Sequence, residues 1–201
     1  LGRFLKPLRL GSKVLVVSNK KISPRFLAPI QVSLKRAGFD VVKPYCFRHA
    51  NERDKSGRAL LGLWEHMAAQ GLERSSTVLA LGGGVVGDVA GFAASTYMRG
   101  ISVVQVPTTL LAQVDAAIGG KTAIDLPVAK NMVGTFYQPR LVVADVATLK
   151  VLTKFRAQEL RNGLAEVIKY GMIQDTVLFE LLEKRSRRLA QILEKGSLDE
   201  S

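Results

Sequence analysis

Leu81-Gly82-Gly83-Gly84-Val85-Val86-Gly87-Asp88-Val89-Ala90-Gly91-Phe92-Ala93-Ala94-Ser95 is the stretch on which the fold turns. An apolar run over 77–81 leads into three glycines, and an apolar segment of helical length follows. That order reads as strand, tight turn, helix. Glycines let the backbone turn sharply with positive φ and approach a ligand closely. The N–H groups of the helix's first turn have no intrahelical partner, so a phosphate or diphosphate suits the space above them. Asp88, early in the helix, is placed to cap it or to bind a hydroxyl or amide. The spacing is not that of the dinucleotide fingerprint GxGxxG. On these residues alone, a tight turn with no ligand stands beside the anion-binding reading.

The surrounding chain repeats the strand–helix theme. Residues 13–17 are a short β-branched run, ended by Ser18-Asn19; Ser23 then caps a helix with Pro24 at its first position, running to about Arg36 and stopped by Gly38. A strand is expected over 40–44, a polar loop over 49–55, and a helix over 57–70 closed by Gly71. A buried strand over 101–106 ends at Pro107. Strands alternating with helices predict an α/β fold, a Rossmann-like, mainly parallel sheet with helices on both faces. Ligands bind such sheets beyond the carboxyl ends of the strands. Asn19, Glu52 and Lys55, Gly82 to Gly84, and Thr108-Thr109 fall there.

The segment 115–134 has little periodicity and is expected to be a loop; Gly119-Gly120-Lys121-Thr122 and Lys130-Asn131 crowd into it. Lysine is a compact positive charge that suits phosphate. Residues 141–144 read as one more strand and 148–152 as a short connector. Beyond Phe155 the pattern is helical only, with helices over 159–170 and 175–193 split by Gly171. This predicts an α/β domain over 1–151 and, over 152–201, the beginning of an all-α domain. Glu166, Lys169 and Tyr170 share a face of the first of these helices. Their spacing fits a surface ion pair as well as a carboxylate for a metal with a lysine gripping an anion. One glutamate is not a metal site, since catalytic zinc needs about three protein ligands.

Composition narrows the classes. The chain has 201 residues, 47% hydrophobic and 23% charged, and no apolar run approaches the ~20 residues of a membrane span. A net charge of +12 favours anionic partners. The chain lacks the aromatic–basic interleaving of a nucleic-acid reader, so no nucleic-acid or membrane partner is expected. The run Lys184-Arg185-Ser186-Arg187-Arg188 reads as a solvated face. A lone Cys46 fits a reducing compartment. The only histidines, His49 and His66, lie far upstream of Glu166.

Several segments together resemble one family: Leu81-Gly-Gly-Gly-Val-Val-Gly-Asp88, Arg99-Gly100, Val106-Pro-Thr-Thr-Leu-Leu-Ala-Gln-Val-Asp115, Gly119-Gly-Lys-Thr122, Lys130-Asn-Met-Val-Gly134, Phe136-Tyr-Gln-Pro139 and Gly163-Leu-Ala-Glu-Val-Ile-Lys-Tyr-Gly171. In this order they resemble 3-dehydroquinate synthase, over about Lys13 to Glu183. The resemblance implies an NAD- and metal-dependent lyase of the shikimate pathway, using zinc or cobalt. It would convert 3-deoxy-D-arabino-heptulosonate 7-phosphate to 3-dehydroquinate and phosphate. A homodimer in the bacterial cytoplasm, or a plastid in a plant or alga, would follow. Another sugar-phosphate cyclase and a non-catalytic nucleotide-binding module are the alternatives.

Carried over by position, the resemblance implies cofactor contacts at Asn19, Glu52, Lys55, Gly83, Gly84, Val85, Val86, Gly87, Asp88, Thr108, Thr109, Lys121, Lys130 and Thr148. It implies catalytic roles for Lys121, Asn131 and Lys169, with Arg99 and Asp115 joining them at the substrate, and Glu166 as a metal ligand. The chain departs from the family where Asp125-Leu-Pro-Val-Ala-Lys-Asn131 stands for Asn-His-Pro-x-Gly-Lys-Asn, and where Val151 replaces a threonine. The family's two metal-binding histidines belong to a C-terminal region not matched here. The chain therefore reads as truncated before the metal site is complete and as inactive alone.

Overall fold

The computed structural model describes residues 1–49, 51–153 and 157–195. Its strands are β1 (Lys13–Asn19), β2 (Asp40–Val41), β3 (Tyr45–Phe47), β4 (Thr77–Gly82), β5 (Ser102–Pro107), β6 (Lys121–Leu126), β7 (Ala129–Phe136) and β8 (Leu141–Val142). Its α-helices are α1 (Gly2–Leu5), α2 (Ser23–Arg36), α3 (Gly57–Ala69), α4 (Gly84–Thr96), α5 (Ala147–Thr153), α6 (Ala157–Gln174), α7 (Thr176–Lys184) and α8 (Ser186–Lys195). A parallel sheet runs in the order β2-β1-β4-β5-β8, with β3 also paired to β1.

Every residue of β4 is buried, as a central parallel strand covered on both faces requires. Side chains alternate between the faces. Val14, Val16, Leu79, Leu81, Val104 and Val106 pack with Leu5, Ile22 and Leu34 on the side of α1 and α2. Leu15, Val17, Val78, Ala80 and Val103 pack with Leu60, Leu63 and Met67 of α3 and with Val86, Val89, Ala90 and Ala93 of α4. Fully burying one such side chain stabilises by about 1.5–3 kcal/mol, so these two layers carry most of the fold's stability. The fold is α/β with a mainly parallel sheet and helices on both faces, as the sequence pattern predicts.

Local details differ from the sequence reading, each for a physical reason. The strand expected over 40–44 divides into β2 and β3, both on β1, because Pro44 has no N–H to give the ladder. Ser23 does not cap α2. The Asn19 carboxamide oxygen instead accepts from the N–H groups of Lys21 and Ile22, 3.0 Å each. Residues 115–134 are not a loop: a π-helical turn (Ala112–Ala116) leads to an antiparallel hairpin of β6 and β7. The hairpin lies on α4 rather than in the sheet, and only Thr122 and Ile124 of its strands are buried, which hides its periodicity. The connector over 148–152 is helical, as part of α5.

Gly171 does not split the C-terminal helices, because α6 runs through it to Gln174. A Cβ at Gly171 would stand 3.2 Å from the Phe179 backbone, so the glycine lets α7 pack close. The break comes at Asp175, whose carboxylate caps α7 by accepting from the Leu178 N–H at 2.9 Å. The second expected helix is itself divided at Arg185 into α7 and α8.

The hairpin gives a test of the fold. A Cβ at Gly134 would lie 1.9 Å from the Thr122 carbonyl oxygen and 2.8 Å from Ala123 Cα, both backbone atoms that cannot rotate away. Gly134→Ala is expected to lower unfolding free energy by about 1–3 kcal/mol in urea titrations. An unchanged midpoint would refute the hairpin's register.

Candidate functional site

At the carboxyl edge of the sheet, β1 ends at Asn19, β4 at Gly82 and β5 at Pro107. A cleft of about 760 Å³ opens above these ends. Its floor is Gly83, Gly84, Val85 and Val86, with Thr109 and Leu111 on one side and Asn19, Asn51 and Glu52 on the other. Gly83 holds the N-cap position of α4 in extended backbone, and no side chain caps that end. The next N–H groups, of Gly84, Val85 and Val86, belong to the turn that has no carbonyl to meet. Helix dipole and free N–H groups thus point one positive end at the cleft. A Cβ at Gly83 would stand 3.3 Å from Thr109 Cγ2, so the bare backbone keeps the floor open. The Thr108 hydroxyl, fully buried beside Thr109, has no hydrogen-bond partner among the described residues.

Next to the cleft lies a charged knot. The Lys55 ammonium, whose side chain is 6% exposed, donates to the Asp88 carboxylate at 2.5 Å and to the Asn131 carboxamide oxygen. Three elements meet in it: the short turn Glu52–Asp54 that precedes Lys55, the start of α4, and β7. Burial pushes the Asp88 carboxyl above its ordinary value of 3.8, against the pull of Lys55, and the charges of Glu52 and Asp115 add to the rise. Lys130, one residue before Asn131, stands 3.7 Å from Glu52 at the rim. That pair is exposed and contributes little stability.

The third part comes from α6. A Cβ at Gly163 would stand 2.6 Å from the Leu111 nitrogen and from Leu110 Cγ, so α6 packs directly on the segment that lines the cleft. Glu166 lies one turn further along α6, and its carboxylate accepts from the Lys169 ammonium. That hydrogen bond holds the Lys169 ammonium above the ordinary lysine value, and Asp115 contributes to the same field. Its charge is therefore permanent at neutral pH, as an anion-binding lysine requires.

The structure brings many of the expected residues together. Asn19, Glu52, Gly83, Gly84, Val85, Val86 and Thr109 line the cleft, and Lys55, Asp88, Lys130 and Asn131 stand beside it. Gly87 also serves the packing, since its Cβ would stand 2.9 Å from Gln105 Oε1 and its absence seats α4 on β5. Thr148 is withdrawn from the cleft, donating to the Asp145 carbonyl at 2.6 Å and accepting from Gln113 at 3.2 Å. Arg99 also lies away from the cleft. It follows the carboxyl end of α4 and precedes β5, at the edge of the sheet opposite the cleft. Lys121 pairs in register with Phe136 and lies four positions along β6 from Asp125, which faces Asn131 across the hairpin, so about 13 Å of strand lies between Lys121 and the knot.

Asn51, Asn162 and Leu111 line the cleft without having been singled out. Asn51 had a local signal, since its side chain caps the turn at Glu52 by accepting from the Arg53 N–H at 3.0 Å. Asn162 had none, because its place depends on how α6 docks. For a metal, Glu166 stands alone: no group of three histidine, cysteine, aspartate or glutamate side chains gathers among the described residues. His66 is structural, bonded to the Lys43 carbonyl at 2.8 Å and tilted against Tyr45. The His49 N–H binds the Asp54 carboxylate.

Solved structures share this fold. A solved 2-epi-5-epi-valiolone synthase from Streptomyces hygroscopicus subsp. jinggangensis, with NAD+ and Zn2+ bound, matches at TM-score 0.81 and 32% identity, over 93% of this chain and 50% of its own. A 2-deoxy-scyllo-inosose synthase complexed with carbaglucose-6-phosphate, NAD+ and Co2+ matches at TM-score 0.72 and 28% identity, over 83% of this chain and 44% of its own. The fold is therefore the α/β fold of these sugar-phosphate cyclases. The family model for the 3-dehydroquinate synthase N-terminal region matches residues 46–159. A 3-dehydroquinate synthase of Acaryochloris marina is 52% identical over 90% of this chain and 47% of its own length. The chain belongs to the 3-dehydroquinate synthase family. It spans about half the length of the curated relatives it matches.

The knot has a pH signature. Because the folded Asp88 carboxyl sits above 3.8, the native state binds more protons than the unfolded chain from there up to the raised value. Its contribution to stability is present in full below 3.8 and is lost as the pH rises through the folded value. Asp88→Asn removes that contribution. The stability of the wild type relative to Asp88→Asn is expected to fall across this window in urea titrations at stepped pH, and a difference flat in pH would refute the buried-carboxyl assignment.

Proposed function

We propose that this chain is the cofactor-holding part of a 3-dehydroquinate synthase of the shikimate pathway. The whole enzyme converts 3-deoxy-D-arabino-heptulosonate 7-phosphate to 3-dehydroquinate and phosphate. The observation that carries this reading is the uncapped start of α4 at the cleft floor, found in a chain 52% identical to 3-dehydroquinate synthase. Identity to the valiolone synthase is 32%, which favours the dehydroquinate reaction over that of another cyclase.

The cleft fits NAD. The N–H groups of Gly84, Val85 and Val86 would bind its diphosphate, and the bare Gly83 leaves room for it; beside Thr109, the buried Thr108 hydroxyl has no protein partner among the described residues. Bound there, NAD would supply reversible hydride transfer at a substrate carbinol, which would make the neighbouring C–H proton acidic ahead of phosphate loss. Lys169, kept charged by Glu166, would hold a substrate anion, and Asn131, beside the cleft, would orient the substrate. Lys121 and Asp115 complete the substrate side in this reading.

A divalent metal does not fit this chain alone, because Glu166 supplies one carboxylate and the described residues offer no cluster around it. No step is assigned through it. The complete zinc or cobalt site, the all-α domain begun by α6, α7 and α8, and a homodimer belong to the whole protein. No helix among the described residues is long and apolar enough to cross a membrane. Bacterial cytoplasm or a plastid is the compartment this reading implies.

NAD at a hundredfold excess over its dissociation constant is expected to stabilise the chain by about 2.7 kcal/mol, raising its melting temperature by about 5–10 °C. Gly83→Val should abolish the shift. With NAD and zinc added, the chain alone should form no dehydroquinate, and turnover by it would refute the incomplete metal site. Absence of any NAD shift, with salt-sensitive binding to DNA, would favour a nucleic-acid-binding module instead.

A further inference from the structure

We propose that Asp125 is a positioning residue of the cleft, fixing Asn131 in the backbone geometry through which it meets Lys55. The proposal rests on the reading above only in taking Lys55 and Asp88, to which Asn131 is tied, as NAD contacts. It begins in the register of the hairpin. Ile124 pairs with Val133, and the next pair is Leu126 with Ala129. Asp125 alone therefore faces Lys130, Asn131 and Met132. This is a bulge, a device that re-aims a side chain beside a site.

Asn131 sits at φ +57, the left-handed region that only glycine and, less often, asparagine or aspartate enter readily. Something must hold it there. The Asp125 carboxylate accepts from the Asn131 N–H at 2.8 Å, and the Asp125 N–H donates to the Lys55 carbonyl at 2.9 Å. The Lys55 ammonium donates to the Asn131 carboxamide oxygen, which closes a ring of three hydrogen bonds through three residues. Lys55 then passes the constraint to α4 through Asp88. Asp125 touches neither cleft floor nor ligand space. It acts through Asn131, by turning that carboxamide onto Lys55 rather than away into solvent.

What the contact requires of residue 125 is an acceptor oxygen of this reach, which asparagine also has. The test is run on the full 201-residue chain, labelled with nitrogen-15, with amide hydrogen exchange read at Asn131 without ligand and NAD affinity read by calorimetry. Asp125→Ala is expected to speed exchange at residue 131 and to weaken NAD binding, each about fivefold to tenfold. Asp125→Asn should stay within about twofold of wild type in both. Asn131→Gly, which accepts the positive φ but has no carboxamide, should keep the protected amide and lose the affinity. Asp125→Ser, too short to reach, replaces the alanine variant if that protein does not fold. Unchanged exchange in Asp125→Ala, or an asparagine variant as impaired as the alanine one, would overturn the proposal. Failure of the wild type to bind NAD would sink the cofactor reading, while exchange at Asn131 still decides the role of Asp125.

Discussion

The docking of α4 is the constraint on which the rest depends. This helix is held between the sheet on one side and the β6–β7 hairpin on the other. Both approaches need small residues. A Cβ at Gly87 would meet Gln105 of β5 at 2.9 Å, and one at Gly91 would meet Thr122 of β6 at 2.5 Å. Gln105 in turn donates to the Gly87 carbonyl at 3.2 Å, which satisfies an amide buried between helix and strand. A helix apolar all round is stable only when covered all round.

Seated this way, α4 presents its uncapped first turn at the carboxyl edge of the sheet, and the cleft forms above it. The same docking brings Asp88 against Lys55, and the hairpin that covers α4 brings Asn131 to the same lysine. The segment after β5 closes the arrangement: Thr109 touches Gly83, Ala116 stands against Gly84, and Leu110 and Leu111 receive Gly163 of α6. One short segment thus locates both the cleft floor and the helix that carries Glu166 and Lys169. Packing, not the charges, sets the distances. The ion pairs are half-exposed or balanced against desolvation and add little net stability.

Much of this was legible from residues alone, and the exceptions share a cause. The buried strands and the glycine turn showed clearly because burial on both faces makes a continuous apolar run and a tight turn demands glycine. The hairpin was hidden because β7 is exposed along nearly its whole length and carries no alternation. Arg99 and Thr148 were grouped with the cleft by motif, yet the chain carries one to the far edge of the sheet and the other into a network with Gln113. Asp125 drew attention only as a departure from a family pattern, since nothing local shows that a bulge will face it with Asn131.

The sequence by itself determined the alternation of strand and helix, the glycine turn that must bend after β4, and the family to which these motifs point, because each depends on local sterics or on short-range apolar pattern. Only the tertiary structure decided which charges meet. Lys55, Asp88 and Asn131 are up to 76 positions apart along the chain, and no periodicity spans such a distance. They come together because α4 can lie only where its glycines let the sheet and the hairpin close on it.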